Sequence, residues 1–202
     1  MIALIDYGMG NLGSVEKALL KVGCEVNVTS DPAAIEAADG VVLPGVGAFD
    51  DCMTNLEQSG CIPAIKAVTA ADKPFIGICL GLQVLFESSE EGKLPGLGIL
   101  PGKVVRFKHN LKIPQIGWNQ IFKRQNCPLL EGIEDGSWTY FVHSYYVEPA
   151  DESLVATVTD YGYEFTSAVR RGNLFASQWH PEKSQNVGLK VLDNFRRQVE
   201  AR

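Results

Sequence analysis

Two short stretches of this 202-residue chain hold side chains that could carry out acyl transfer together. In the first, Gly77-Ile78-Cys79-Leu80-Gly81, a cysteine stands between glycines where an apolar run gives way to a helix-like pattern. A nucleophile on a sharp strand-to-helix turn stands clear of its neighbours, and flanking glycines let other backbone approach it closely. The N–H groups at the start of the helix favour a thiolate and could stabilise an oxyanion beside it. Taken alone, Cys79 serves equally well as a small buried hydrophobe. The second stretch, Gln178-Trp179-His180-Pro181-Glu182-Lys183, supplies a base. Proline disfavours the helical region for the residue before it, so His180 is expected to be extended. In an extended segment residues i and i+2 share a side, which sets the Glu182 carboxylate beside the imidazole. A carboxylate that orients an imidazole that activates a thiol is the chemistry of a Cys/His/Glu acyl-transfer site.

The remaining cysteines are given no role. Five cysteines is an odd number, none forms a C-x-x-C pair, and their scatter suggests neither a disulfide framework nor a zinc site. Cys24, Cys52 and Cys61 lie in or beside helix and strand candidates, and Cys127 precedes a proline in a turn-like stretch, so all four read as non-catalytic. His109 sits in the polar segment KHNLK and reads as solvated.

The elements that must position Cys79 and His180 follow from apolar periodicity. The first half alternates strand candidates (2–6, 24–28, 41–45, 74–79) with helix candidates (about 13–22, a short one after Asp31-Pro32, segments within about 49–69, and one from about Leu80). Short continuous apolar strands between helices signal a parallel sheet covered on both faces. From about residue 98 strand candidates follow one another closely: LGILPGKVVRF, PQIGWNQIF, WTYFVHSYYV, LVATV, FTSAVRR and LFASQW. Such strands pair antiparallel. The apolar residues of 187–199 suit an amphipathic helix packed back on the sheet. With no repeat, low-complexity tract or linker, residues 1–202 read as a single α/β domain. No basic leader or run of about 18 apolar residues is present. A net charge of −6 with dispersed basic residues argues against a nucleic-acid partner. A cytoplasmic protein is expected, with small-molecule or protein partners and no membrane association.

One stretch points elsewhere. Gly8-Met9-Gly10-Asn11-Leu12-Gly13 is a G-x-G-x-x-G between a strand and a helix, with Asp31 near the end of the next strand, the pattern of a dinucleotide-binding turn. A chain of 202 residues leaves little room for the substrate domain of a dehydrogenase.

GICLGLQ around Cys79 and HPE at 180–182 resemble the class I (triad) glutamine amidotransferases. Within that class, DYGMGNLGSV (6–15), LPGVGAF (43–49), IGWN (116–119), YFVHSYY (140–146) and QWHPEKS (178–184) resemble the glutaminase subunits of imidazole glycerol phosphate synthases, over essentially the whole chain. The resemblance implies a flavodoxin-like mixed sheet, mainly parallel, flanked by helices, with an antiparallel C-terminal portion. It implies that Cys79 forms a γ-glutamyl thioester, that His180 moves protons and that Glu182 holds His180. The loop Pro44-Gly45-Val46-Gly47, by itself an ordinary glycine turn, becomes with Leu80 an oxyanion hole that a peptide flip could leave incomplete until the partner is loaded. Gln83, Ser144 and Tyr145, in a segment that begins at His143, become substrate contacts; otherwise they are plain helix and strand residues. Asn11, Trp118, Tyr140 and Lys183 fall at the partner interface, the alternative for Trp118 and Tyr140 being core aromatics. The implied partner is a separate cyclase subunit, in a heterodimer, which receives ammonia from glutamine in histidine biosynthesis; no cofactor or metal is implied. A glutaminase of another synthase, such as the pyridoxal phosphate or anthranilate systems, and an inactive protein of the same fold are the alternatives. Trp179 and Leu82 stand where the resemblance leads one to expect Phe and Met, which bears on the shape of the glutamine pocket.

Overall fold

Continuous apolar runs bounded by turn residues become the parallel half of one sheet in the computed structural model, which describes residues 1–201. In chain order the first elements are β1 (Ile2–Ile5), α1 (Leu12–Lys21), β2 (Val26–Thr29), α2 (Pro32–Ala37) and β3 (Gly40–Gly45). They are followed by α3 (Phe49–Gln58), α4 (Ile62–Ala70), β4 (Phe75–Cys79) and α5 (Leu80–Gln83). The second half holds β5 (Ser88–Ser89), β6 (Gly102–Arg106), β7 (Gln115–Lys123), β8 (Ser137–His143), β9 (Tyr145–Pro149), β10 (Val155–Asp160), β11 (Glu164–Arg171), β12 (Leu174–Ser177) and α6 (Gln185–Glu200).

The sheet runs β2-β1-β3-β4-β12-β11-β10-β7-β8. Its first five strands are parallel in the flavodoxin-like order, with β12 in the fifth place. From β12 onward each neighbour is antiparallel, and β5, β6 and β9 branch from β11. The expected mixed sheet is therefore present. Alternate residues of the parallel strands feed two cores. Ala3, Ile5, Val41, Leu43 and Phe75 face α2, α3 and α4, whereas Ile2, Leu4, Val42, Ile76 and Ile78 face α1 and α6. Helix α6 buries Val191, Leu192, Phe195 and Val199 and packs near α1, as its periodicity predicts.

Some boundaries differ from the sequence reading, each for a local reason. In LGILPGKVVRF only Gly102–Arg106 is strand, because Gly96 to Leu100 instead donate their N–H groups back to the chain around Val84–Glu87. WTYFVHSYYV splits at Ser144, where the chain leaves its pairing with β7 and enters the branch with β6 and β11. Gln178 and Trp179 lie beyond the end of β12. The helix expected from Leu80 is a single turn, so a macrodipole contributes little there and the unpaired N–H groups of that turn carry whatever anion stabilisation it offers. The His109 ring is not solvated; it packs 4.9 Å from Phe107, 5.1 Å from Tyr161 and 5.4 Å from Tyr163, centroid to centroid.

The parallel strands bring β3, β4 and α5 closer than side chains allow. A Cβ on Gly81 would lie 2.0 Å from the Leu43 carbonyl oxygen, whereas one on Gly13, in α1, meets nothing within 4 Å. Gly81→Ala is expected to lower unfolding stability by roughly 3 kcal/mol or more. Gly13→Ala is expected to raise it by about 0.5–1 kcal/mol through helix propensity. Urea unfolding of the two variants checks both signs.

Candidate active site

The C-terminal ends of β3, β4 and β12 lie side by side, with Gly45 in register with Cys79 and Ser177 with Ile78. Parallel α/β sheets place ligands outside these ends. Three segments therefore leave the sheet at one place: the glycine loop after β3, the turn after β4, and residues 178–183 after β12.

Cys79 closes β4 with φ 57° and ψ −111°. A non-glycine residue in this region carries strain of about 1–3 kcal/mol, held by its surroundings. Here the surroundings are backbone: a Cβ on Gly45 would sit 2.7 Å from the Gly81 nitrogen, and one on Gly77 would sit 2.7 Å from the Gly81 oxygen. The close approach expected of these glycines is present. Leu80 N–H, first in its turn, has no partner within the helix.

His180 is extended at φ −98° and ψ 102°, as the following proline requires. Glu182 is not extended, since Pro181–Lys183 forms a 3-10 turn. The expected contact forms nonetheless, because the turn swings the carboxylate back: His180 Nδ1 lies 2.8 Å from Glu182 Oε1, with the two side chains only 2% and 1% exposed. That bond fixes the tautomer with Nδ1–H donating and leaves Nε2, which has no hydrogen-bond partner among the described residues, beside the Cys79 sulfur. Burial opposes the charged imidazolium, but the Cys79 sulfur and the Glu182 carboxylate outweigh it and raise His180 to about 10.

Cys79, Leu80, His180, Val46 and Gly47 open onto one cleft of about 300 Å³, which Gln83, His143, Ser144, Tyr145 and Lys183 also line. This is room for a ligand of amino-acid size. Gln83 is buried rather than an exposed helix residue, and its amide donates to the Tyr145 carbonyl at 3.2 Å and to Gln178 Oε1 at 2.9 Å. Pro44 and Gly45 complete β3 instead of starting a loop. The Pro44 carbonyl accepts from the Tyr7 hydroxyl at 2.8 Å. Trp179 and Leu82 are fully buried but do not line the cleft, so the two departures from the family pattern leave its wall unchanged.

Sequence reasoning missed two groups here. Glu91 lines the cleft half-buried, its Oε2 accepting from Phe49 N–H at 3.0 Å, and burial raises its carboxyl above the usual range. Nothing in the acidic run SSEEGK distinguishes it; the only signal is Gly92, whose missing Cβ lets Asp50 reach that turn. Gln178 is fully buried and its amide nitrogen lies 3.6 Å from Cys79 Sγ; a polar residue closing the apolar run LFAS was its signal.

Residues assigned elsewhere fall as follows. Trp118 is 42% exposed and meets half-buried Tyr140 edge-on at 6.0 Å, so they are not core aromatics; Lys183 Nζ lies 5.8 Å from the Tyr140 ring centre. Asn11 precedes α1 without capping it through its side chain. The other four cysteines are buried. Burial pushes Cys24 up to about 11 and Cys52 up to about 12, and raises Cys127, which keeps these thiols protonated. The dinucleotide reading fails on Asp31, whose carboxylate accepts from Ala33 N–H at 3.0 Å to cap α2, and on the loop 8–13, where Met9 packs against Gly47. No three His, Cys, Asp or Glu side chains converge as a metal site requires among the described residues, and none of the described helices is long and apolar enough to cross a membrane.

Comparison with known proteins gives the family of the chain. The family described as glutamine amidotransferase class-I matches residues 3–199. The chain is 56% identical to the imidazole glycerol phosphate synthase subunit HisH of Aromatoleum aromaticum, over 96% of each chain. It is 54% identical to that of Moorella thermoacetica, over 96% of this chain and 93% of the relative. Among solved structures, a glutamine amidotransferase from Thermotoga maritima superposes with a TM-score of 0.68 at 16% identity, over 99% of this chain and 84% of the other, which shows the shared fold.

His143, between the Tyr145 carbonyl and the Gln115 side-chain amide at 2.8 Å each, is pushed down to about 4 by burial, which outweighs the Tyr145 hydrogen bond. The unfolded chain protonates this ring near its ordinary value of 6.5, the native chain only near 4. Its stability contribution is therefore full above pH 6.5 and lost as pH falls toward 4, by ~3 kcal/mol. His143→Gln is expected to flatten that part of the slope when urea unfolding is compared at pH 7.5 and 4.5.

Proposed function

The chain belongs to the class I glutamine amidotransferases, in the branch of HisH subunits of imidazole glycerol phosphate synthase, and from that premise we propose that Cys79, His180 and Glu182 are its catalytic triad. As a member of that branch it is a glutaminase of histidine biosynthesis. The observation that carries the triad is the buried 2.8 Å His180–Glu182 pair, whose second ring nitrogen faces a cysteine on a strained turn.

The thiol proton of Cys79 rests on His180 Nε2, in keeping with the raised His180, and the thiolate attacks the side-chain amide carbon of glutamine. The carbonyl oxygen becomes an oxyanion held by Leu80 N–H and by an N–H of the segment Gly45-Val46-Gly47. The imidazolium returns its proton to the nitrogen, the C–N bond breaks, and ammonia leaves a γ-glutamyl thioester. His180 then takes a proton from water, whose oxygen displaces the sulfur and releases glutamate. Each oxyanion donor is worth roughly a hundred- to a thousandfold in rate, enough for a peptide flip to act as a switch. In this reading Gln83, Ser144 and Tyr145 hold the substrate, and Glu91, the half-buried carboxylate of the cleft, faces its α-ammonium group.

Ammonia freed into neutral water becomes ammonium, which is not nucleophilic, so this glutaminase requires an acceptor protein. In the proposed assembly residues 1–202 act as one glutaminase unit in a cytoplasmic heterodimer with the cyclase that makes imidazole glycerol phosphate. Asn11, Trp118, Tyr140 and Lys183 lie at that interface. The outer face of β7 and β8 favours this: Ile116, Trp118, Phe122 and Trp138 are 59%, 42%, 37% and 53% exposed there, an apolar patch of the kind that marks a docking surface.

Cys79→Ala is expected to abolish glutamate release while the heterodimer still forms and the cyclase still runs on added ammonium salts. Glutamate release at the wild-type rate from that variant would falsify the triad. Trp118→Ala is expected to weaken heterodimer formation by about tenfold or more, measured by titration calorimetry against the cyclase. Unchanged affinity would remove Trp118 from the interface.

A further inference from the structure

Gln178 is fully buried, and its side chain makes two hydrogen bonds, one to Gln83 and one to Cys79. A carboxamide can present oxygen or nitrogen in nearly the same space, so what faces the sulfur depends on what fixes the amide. Here a backbone carbonyl fixes it. The Tyr145 oxygen can only accept, so Gln83 must turn its NH2 group that way, and the same NH2 lies 2.9 Å from Gln178. Gln178 answers with its oxygen, and its own NH2 is left pointing at Cys79 Sγ, 3.6 Å away. A chain that begins on a main-chain oxygen thus ends as a donor on the nucleophile.

Resting on the reading of Cys79 as the nucleophile, we infer that Gln178 is a further catalytic residue, which donates a hydrogen bond to the Cys79 sulfur, favours its thiolate form and holds it in line with His180. Because Gln83 lines the substrate cleft while setting the orientation of Gln178, the same chain ties the seating of substrate to the state of the nucleophile. A donor matters most when the acceptor is charged and the contact is buried, and Gln178, fully buried against a Cys79 that is only 8% exposed, meets the second condition. The donor also competes with the thiol proton for the sulfur lone pairs, so it acts before substrate is attacked and not only in the transition state.

The test is alkylation of the full chain by iodoacetamide across pH, followed at Cys79 by peptide mass spectrometry, alongside steady-state glutaminase kinetics of the heterodimer. In the wild type, alkylation of Cys79 must abolish glutaminase activity; retained activity would defeat the nucleophile reading itself, whatever Gln178 does. In Gln178→Met, which keeps the volume but removes the donor, the pH of half-maximal alkylation rate is expected to rise by about one unit. The kcat is expected to fall roughly tenfold with KM within about threefold. Gln178→Glu, which sets an acceptor against the sulfur, is expected to shift it further. A midpoint that stays at the wild-type pH overturns the inference, even where kcat falls, because packing alone would then account for the loss. Should both variants fail to fold, the wild-type chain decides: the side-chain NH2 resonances of Gln178 are expected to move with the titration of Cys79, and their indifference to it overturns the inference equally.

Discussion

The whole site depends on one steric constraint, the close approach of the backbones at the ends of β3 and β4 to the turn that follows. Gly45, Gly77 and Gly81 meet across this junction at distances no Cβ could occupy. That contact holds Cys79 in a backbone region it would not choose, and it brings the glycine loop after β3 beside the sulfur. The energy that keeps the cysteine strained comes from the buried strands on either side, β3 and β12, which are anchored over the length of β4. A nucleophile on a flexible loop would relax out of this conformation; on a central parallel strand it has no such route.

Much of this is legible in the sequence because it follows from local rules. The alternation of apolar runs and helical periods points to the parallel half, the glycines around Cys79 to the turn, and the proline after His180 to its extended backbone. Features set by distant parts of the chain are not legible in the same way. The His180–Glu182 contact is expected of an extended segment, but it is made by a 3-10 turn whose register depends on Ser184 bonding back to the His180 carbonyl at 2.6 Å. Glu91 reaches the cleft through a fold-back of residues 88–94 onto the start of α3, where its carboxylate meets Phe49 N–H and the Asp50 carboxylate takes Lys93 and Leu94 N–H. Polar acidic runs carry no periodicity from which such a placement can be read. His109 departs from its expected solvation for the converse reason: its neighbours in sequence are polar, but its neighbours in space are aromatic.

Buried polar groups divide the site into a charged side and a neutral side. On one, His180 is drawn toward the imidazolium by a sulfur and a carboxylate despite its burial. On the other, His143 is kept neutral by burial, with the positive His180 nearby adding to the effect. Two histidines in one cleft thus have opposite tendencies, and only the one with a carboxylate partner is suited to carry protons. The amides of Gln83 and Gln178 lie between these extremes: they carry no charge to desolvate, yet, being buried, they orient donors at fixed points beside the sulfur.

The exposed face of β7 and β8 and the segment that begins at His180 are joined through β8. Tyr140 turns its ring outward beside Trp118 while its main chain is held to the catalytic segment: His180 N–H donates to the Tyr140 carbonyl at 3.0 Å, and Tyr140 N–H donates at 3.0 Å to Ser184 Oγ, which in turn donates to the His180 carbonyl. Any partner that shifts β8 on docking therefore pulls on the backbone of the base through main-chain hydrogen bonds, with no flexible side chain to absorb the motion except the short Ser184. Among the described residues no hydrogen bond braces the Val46 and Gly47 peptides, whereas Pro44 just before them is pinned by Tyr7 and, through it, by Cys52. In the proposed mechanism, movement at the oxyanion side is thereby confined to the peptides between Gly45 and Gly47, while Cys79 stays fixed at the end of β4 and His180 moves only with β8. On the proposed mechanism, a glutaminase that waits for its acceptor before releasing ammonia gains from this division, since its switch is then a pair of peptides that no hydrogen bond holds among the described residues.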